Sequence, residues 1–491
     1  MRKYIDYRYY LNNKNIINYI KIKYNNYRYL KDNINNKYLY NDKELNIRQK
    51  EALYTDEINT LVLASAGSGK TSVIEAKIDY LIKNGIKENE ILVLSFTNNT
   101  VNDLKDRIKY NISIYTFHKL ALEIISDYKY NYKIVNDYLS YIINEIFLSI
   151  CKNISDKDLS YFNNEITNFI NLYKSYYTNS NYLDKITKRT NNKLIKLINK
   201  IYYIYEDELN SQGLIDFNDM INLSIKLIKD KGLKRYYKYI IIDEFQDISI
   251  SRYNLIKIIK ESCNSKIFSV GDDYQSIYKF SGSNINMILK FKKYFGYTKI
   301  IKLDITYRNS YELIKVSTNF INKNKYQINK KIISNKHINK PIKIVYYIKN
   351  MNIKLKKILD INKEFTILSR NNYDINYALD NDITYDNNII YNDKEYEYKT
   401  IHKSKGLEFE NIIILKLDNT INGFPNKRID KLNRLILPKD KYLYEEERRL
   451  FYVALTRSKN LVYLLVDKEN PSIFVKELLT NNKKYIEELD I

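Results

Sequence analysis

At 491 residues the chain is long enough for about three units of ordinary domain size, which excludes a small stapled scaffold. Its 44% hydrophobic content argues against wholesale disorder, no apolar run approaches the roughly 18 residues of a membrane-spanning helix, and the start carries no apolar stretch of signal-peptide length. With 81 Lys and Arg against 58 Asp and Glu, the net charge of +23 would draw a polyanion such as nucleic acid, although the excess of Lys, Asn, Ile and Tyr is also what an AT-rich genome produces.

Residues 1 to about 40 alternate Tyr, Asn and Lys with scattered Ile and read as a short helical lead-in with no activity assigned. From Thr60 the pattern becomes strand, turn and amphipathic helix: Thr60-Leu61-Val62-Leu63, a helix from about Thr71 to Lys83, then Ile91-Leu92-Val93-Leu94-Ser95-Phe96. Short apolar runs alternating with helices predict βαβ units and a parallel sheet. Between them lies Ala64-Ser65-Ala66-Gly67-Ser68-Gly69-Lys70-Thr71, a phosphate loop whose first position is Ala instead of Gly. In such a loop the backbone N–H groups and the helix N-terminus surround phosphates, Lys70 reaches the β and γ phosphates, and the Thr71 hydroxyl holds Mg²⁺.

Residues 119–230 show Ile, Leu and Tyr at helical spacing without strand runs and read as a helical insertion. Cys151, within it, and Cys263 cannot build a disulfide framework; both read as reduced core thiols of a cytoplasmic protein. Strand character resumes at Tyr239-Ile240-Ile241-Ile242, which ends in Asp243-Glu244-Phe245-Gln246-Asp247. Adjacent carboxylates at a strand tip, downstream of a phosphate loop, can divide two tasks: Asp243 binds Mg²⁺ and Glu244 polarises the attacking water. After Lys266-Ile267-Phe268-Ser269-Val270 comes Gly271-Asp272-Asp273-Tyr274-Gln275-Ser276-Ile277-Tyr278-Lys279-Phe280, which joins a turn, a Gln able to touch a γ-phosphate, and aromatics able to stack on bases.

A second α/β series is predicted from Lys299-Ile300-Ile301-Lys302-Leu303, Ile342-Lys343-Ile344-Val345, Phe365-Thr366-Ile367-Leu368, Asn411-Ile412-Ile413-Ile414-Leu415 and Leu461-Val462-Tyr463-Leu464-Leu465. Two α/β bodies imply a cleft between them. Within the series, Thr400-Ile401-His402-Lys403-Ser404-Lys405-Gly406-Leu407-Glu408-Phe409 precedes a strand. The run Glu446-Glu447-Arg448-Arg449 reads as a solvated, salt-bridged helix face, and Arg457 beyond it as an arginine finger. Glycine and proline are scarce, 10 and 4, yet Gly67, Gly69, Gly271, Gly282 and Gly406 all fall within these chemical segments.

In order, and with Leu45-Asn46-Ile47-Arg48-Gln49, Ser95-Phe96-Thr97-Asn98, Thr116-Phe117-His118-Lys119-Leu120 and Thr306-Tyr307-Arg308, these segments resemble the superfamily 1 DNA helicases of the UvrD/Rep type, and most closely the helicase IV branch. The resemblance runs from Leu45 to about Val466. It implies an α/β fold of two RecA-like parallel-sheet domains with a helical insertion in the first. The corresponding division is a lead-in at 1–40, a first domain at 41–118 and 231–290, the insertion at 119–230, and a second domain at 291–480 whose own further insertion is minimal or absent.

The resemblance also implies roles. Gln49 would recognise adenine and Tyr307 would stack near the base, while Ala66, Gly67, Ser68, Gly69, Lys70, Thr71, Ser72 and Glu408 would hold the nucleotide. Lys70, Asp243, Glu244, Gln275, Arg308 and Arg457 would carry catalysis, with Thr71 and Asp243 on Mg²⁺. Phe96, Thr97, Thr116, His118, Tyr278, Phe280 and His402 would line a single-strand track, where stacking tolerates any base. Ser65, Asn99-Thr100-Val101 and Phe280 depart from the residues commonest in relatives. The implied activity is an ATP-dependent helicase or translocase moving 3′ to 5′ on single-stranded DNA and acting at duplex junctions in repair, recombination or replication. The rival readings are an ATPase that remodels a nucleoprotein complex such as RNA polymerase, and action on RNA.

Overall fold

The computed structural model describes residues 16–491 apart from 131, 152, 178–180, 191, 362 and 429; residues 1–15 of the lead-in lie outside the described residues. The lead-in that is described forms helix α1 (Ile16–Ile34), which packs on α2 (Ile47–Tyr54).

The first sheet follows from apolar runs short enough for strands and buried on both faces. Its strands are β1 (Asn59–Ala64), β2 (Ile91–Ser95), β3 (Ser113–Thr116), β4 (Tyr239–Ile242), β5 (Lys266–Gly271) and β6 (Lys299–Leu303), in the spatial order β6-β1-β5-β4-β2-β3, all parallel. Successive residues point to opposite faces. Leu61, Leu63, Leu92, Leu94, Ile240 and Ile242 join one core cluster with α5 (Phe117–Asp127), whereas Val62, Ala64, Val93, Ile241 and Val270 join another with α3 (Lys70–Lys83) and α4 (Asn98–Arg107). The sheet is thus covered on both sides.

Lys299–Leu303 reads from sequence with the second series, but it pairs with β1 in the first sheet, Lys299 opposite Thr60 and Leu303 opposite Ala64. Its alternation explains the placement: Ile301 and Leu303 are buried while Ile300 and Lys302 face outward, the pattern of an edge strand with a lysine guarding the open side.

The helical stretch divides by what its apolar faces cover. Helices α5 and α10 (Phe217–Lys231) pack on the first sheet through residues such as Leu120, Ile124, Ile221 and Ile228. Helices α6 (Tyr138–Ile150), α7 (Asp156–Tyr176), α8 (Asn181–Thr190) and α9 (Lys193–Gln212) form a core of their own around Ile143, Ile170, Tyr173, Ile198 and Ile201. Ile436, contributed from far along the chain, completes that core and is 4% exposed. Cys263 is buried as expected, but Cys151 is exposed because it caps the C-terminus of α6 instead of facing inward.

The second sheet comprises β7 (Ile342–Tyr347), β8 (Thr366–Ser369), β9 (Tyr398–Thr400), β10 (Ile412–Leu417), β11 (Val462–Asp467) and β12 (Ile486–Leu489), in the order β9-β8-β10-β11-β7-β12, again parallel. One face packs on α12 (Tyr311–Ile321) and α14 (Glu445–Leu455), the other on α13 (Met351–Leu359). Between β8 and β9 the chain inserts a short 3-10 helix, Asn372–Tyr377, and a three-stranded antiparallel meander at 384–396. Among the described residues no helix is long and apolar enough to cross a membrane.

Candidate nucleotide and strand site

The phosphate loop leaves β1 at Ala64 and enters α3 at Lys70, with Gly67 and Gly69 at φ +69° and +80°. A Cβ on Gly67 would come within 2.5 Å of the Arg308 Cβ, and one on Gly69 within 2.6 Å of the Gln49 Nε2, so conformation and space both require glycine. The loop is stitched to the segment after β6: Thr306 Oγ1 donates to the Ala66 carbonyl at 2.8 Å and Tyr307 N to the Gly67 carbonyl at 2.8 Å. Gln49 is held by a reciprocal cap with Asn46 and donates through Nε2 to the Ser68 carbonyl at 3.2 Å. Asn46 in turn donates to the Tyr307 hydroxyl at 2.8 Å, while the tyrosine itself is 61% exposed. Thr71 and Ser72 stand partly exposed in the first turn of α3.

Lys70 Nζ lies 2.9 Å from Glu244 Oε1. Glu244 has a left-handed backbone, φ 48°, and its N–H donates to Asp243 Oδ1 at 2.8 Å. The two neighbouring acids are driven apart. Burial and the charge of Glu244 push Asp243 up to about 7, whereas Lys70 and Lys405 overcome the burial of Glu244 and bring it down to about 2.

From Glu244 a hydrogen-bonded chain crosses to the second body. Gln246 Nε2 donates to Glu244, and its Oε1 accepts from Asp272 N at 2.8 Å. Gln275 Nε2 donates to Asp272 Oδ2 at 2.6 Å, and Gln275 Oε1 accepts from Arg457 Nη2 at 3.0 Å. Arg457 is 1% exposed and also donates to the carbonyls of Val453 and Leu407, each at 3.1 Å. Burial and the charge of Arg308 pull its pKa down to about 9. Arg308 donates to Glu408 Oε2 at 3.0 Å and to the Thr456 carbonyl at 3.3 Å.

The arginine run preceding Arg457 is not a solvated face. Arg448 and Arg449 are 2% and 3% exposed, Arg448 pairs with Glu477 at 2.6 Å, and Arg449 Nε donates to the Ser276 carbonyl at 2.7 Å. Glu446 accepts from Lys279 N, and Glu447 from Arg370. Helix α14 therefore docks the second body onto the 276–279 turn through Arg449 and Glu446, while Arg448 and Glu447 are paired within the second body.

The aromatic residues converge beside this chain. Phe96 and Tyr278 stack with ring centroids 5.6 Å apart and planes 7° apart; Phe280 and His402 meet edge to face at 5.4 Å. Tyr278 OH donates to the His402 carbonyl at 3.2 Å. Thr97 and Thr116 cap α4 and α5, accepting from Thr100 N and Lys119 N. His118 packs edge to face on Phe217 at 5.5 Å. Burial and the charge of Arg252 press His118 down to about 4, and burial with Arg370 and Lys405 does the same to His402, so both imidazoles are neutral at pH 7.

Four participants carry no assigned role in the sequence reading. Phe217 and Arg252 flank Phe96 and His118. Lys405 pairs with Asp247, donates to the Gln275 carbonyl at 2.7 Å, and sits 4.7 Å over the Tyr278 ring. Lys330, 2% exposed, pairs with Asp272 and with Asp273 at 2.6 Å. A chain with 51 tyrosines and 17 phenylalanines hides a single functional aromatic, and only the position of Lys405 inside the His402–Phe409 segment offered a signal.

The UvrD/REP helicase N-terminal domain matches residues 45–296, and the UvrD-like helicase C-terminal domain matches residues 354–469. DNA helicase IV of Escherichia coli (strain K12) is 29% identical over 487 residues, covering 89% of this chain and 70% of that protein. ATP-dependent DNA helicase Rep of Buchnera aphidicola subsp. Baizongia pistaciae (strain Bp) is 32% identical over 357 residues, 67% of this chain and 52% of that one. A probable DNA helicase of Mycoplasma pneumoniae is 25% identical over 471 residues, 86% and 83% respectively. The chain thus spans about half the length of Rep and more of the other two.

Proposed function

The chain belongs to the UvrD/REP helicase family and is an ATP-hydrolysing enzyme of that kind, and from this premise we propose that it moves 3′ to 5′ along single-stranded DNA and separates strands at duplex junctions, in repair, recombination or replication. The observation that carries the motor reading is the double engagement of one turn: Gln275 accepts from Arg457 of the second body, and three residues on Tyr278 stacks against Phe96 of the first. A change in how the two bodies meet around ATP is therefore a change in the aromatic surface on which a base would rest. The direction rests on family likeness alone.

In this reading Lys70 leaves Glu244 for the β and γ phosphates of ATP, which frees Glu244 to orient the attacking water. Arg308 and Arg457 offset charge developing on the transferred phosphoryl group from the opposite side of the cleft. Thr71 and Asp243 would hold Mg²⁺, whose charge offsets that of the phosphate oxygens. The fit is reasonable, because such an ion takes one or two carboxylates with a hydroxyl and otherwise uses waters and phosphate oxygens, and Asp243 is a single buried carboxylate beside the glycine-floored loop. Phe96, Tyr278, Phe280 and His402 supply stacking faces, and Thr97 and Thr116 place two helix N-termini toward the strand's phosphates.

The test is strand displacement on duplexes bearing either a 3′ or a 5′ single-stranded tail, with ATPase activity measured in the presence and absence of oligo(dT). Stimulated hydrolysis with displacement from the 3′-tailed substrate is expected. Lys70→Ala should abolish turnover in a folded, strand-binding protein, and unchanged turnover would remove the phosphate-loop assignment.

A further inference from the structure

We propose that Arg252 is a strand-binding residue that holds one phosphate of the single strand passing over Phe96 and His118. The inference rests on the track reading above. Arg252 is the third residue of helix α11 (Ile250–Cys263), which starts just past Asp247 and is capped by Ser249, whose Oγ accepts from Arg252 N at 3.3 Å. Its guanidinium carbon lies 4.5 Å from the centre of the Phe96 ring and 5.8 Å from that of Phe117. It is also close enough to His118 to depress that imidazole.

What sets this arginine apart is that its side chain makes no hydrogen bond to any described residue. Its Nη1 is buried without a hydrogen-bond partner, and among the described residues its side chain forms no ion pair within 4.0 Å. The nearest opposing charge that acts on it, Asp247, gives Oδ2 to Lys405 instead. The other buried arginines nearby are provided for: Arg457 donates to Gln275 and two carbonyls, Arg449 to Ser276, and Arg448 to Glu477. A guanidinium carries five N–H donors in a planar fork, and leaving one partly desolvated and unpaired is costly. The group that matches that fork, bears negative charge and belongs beside a row of base-stacking rings is a backbone phosphate. Burial lowers the pKa of Arg252 to about 10, so it remains charged at neutral pH. The adjoining rings explain the position: the cation lies over Phe96, within the row of rings read as the strand track, where it would take the phosphate of a nucleotide passing them.

Removing one phosphate contact on a single strand lowers the steepness of log affinity against log salt by about 0.7. The experiment is fluorescence anisotropy of labelled oligo(dT) with the full chain, without nucleotide, over about 50 to 200 mM KCl. Arg252→Gln should lose about 0.7 from the slope and so weaken about 2- to 3-fold less than wild type across that fourfold range, while Arg252→Lys should keep the wild-type slope. Equal slopes for wild type and Arg252→Gln, even with weaker binding, would assign Arg252 a packing role and overturn the proposal. Wild type that fails to bind oligo(dT) at all would sink the track reading instead. A second measurement needs no variant: oligo(dT) should protect Arg252 from phenylglyoxal in the wild-type chain, read by peptide mass, and undiminished modification in saturated complex would also overturn the assignment.

Discussion

Replacing Arg457 by Ala tests the proposed finger, because the catalytic loss expected of a finger exceeds the stability loss expected of its contacts. The substitution strips the Val453 and Leu407 carbonyls and Gln275 Oε1 of a donor, at about 1 kcal/mol or more each. Against this, the folded chain no longer buries a guanidinium whose pKa is pulled down to about 9, a relief of the same order, a few kcal/mol. These two terms oppose one another, but truncating one of the largest fully buried side chains also leaves a cavity, so the net loss of stability should be about 2–4 kcal/mol, several degrees in melting temperature. Loss of an arginine finger slows hydrolysis by about 10³ to 10⁵, equivalent to about 4–7 kcal/mol in the barrier. The assay pairs steady-state ATPase with oligo(dT) and thermal melting of the same preparation. Turnover should collapse with little change in nucleotide affinity. A variant that melts several degrees early yet hydrolyses ATP within tenfold of wild type would show that Arg457 only clamps Gln275 and Leu407.

Lys330→Met should lower stability by about 3–5 kcal/mol in denaturant unfolding, because it leaves Asp272 and Asp273, both 0% exposed, without a cation; a loss under 1 kcal/mol would mean the pair adapts. Phe96→Ala should weaken oligo(dT) binding by about 1–3 kcal/mol with an unchanged salt slope, and unaltered affinity would take Phe96 off the track. Acidification should destabilise the chain through His118 and His402. The unfolded state takes protons near pH 6.5 while the folded one resists to about 4, so the folded state loses stability as pH falls through that window, by up to about 2 kcal/mol per histidine at pH 5 and roughly half that after screening at these half-buried sites. The double variant His118→Gln, His402→Gln should therefore lose less stability than wild type between pH 7 and 5; parallel curves would refute the assigned depression.

Much of the fold was legible because parallel strands buried on both faces leave unbroken apolar runs, as at Leu61–Leu63 and Ile240–Ile242. Lys299–Leu303 was misplaced for the opposite reason: an edge strand has one wet face, and sequence order says nothing about which sheet it borders. The phosphate loop could be read because glycine and lysine are locally constrained. Arg448 and Arg449 misled because charge predicts exposure until a distant partner, here Glu477 or the Ser276 carbonyl, absorbs it. Arg252 and Phe217 have no local signature, since what marks them is a neighbour more than 90 residues away in the chain.

Ile436 ties the four-helix unit to two masters. That unit is covalently continuous with the first sheet, yet a side chain from the second body fills its interior. Pulling the bodies apart would return this isoleucine to water at about 2 kcal/mol, before its partly buried companions Leu432, Leu435 and Leu437 are counted. The unit is also fastened to the first body, through buried Lys174 to Asp216 and Asp219 at 2.7 Å each, so any rotation of one lobe against the other must either carry Ile436 along or expose it.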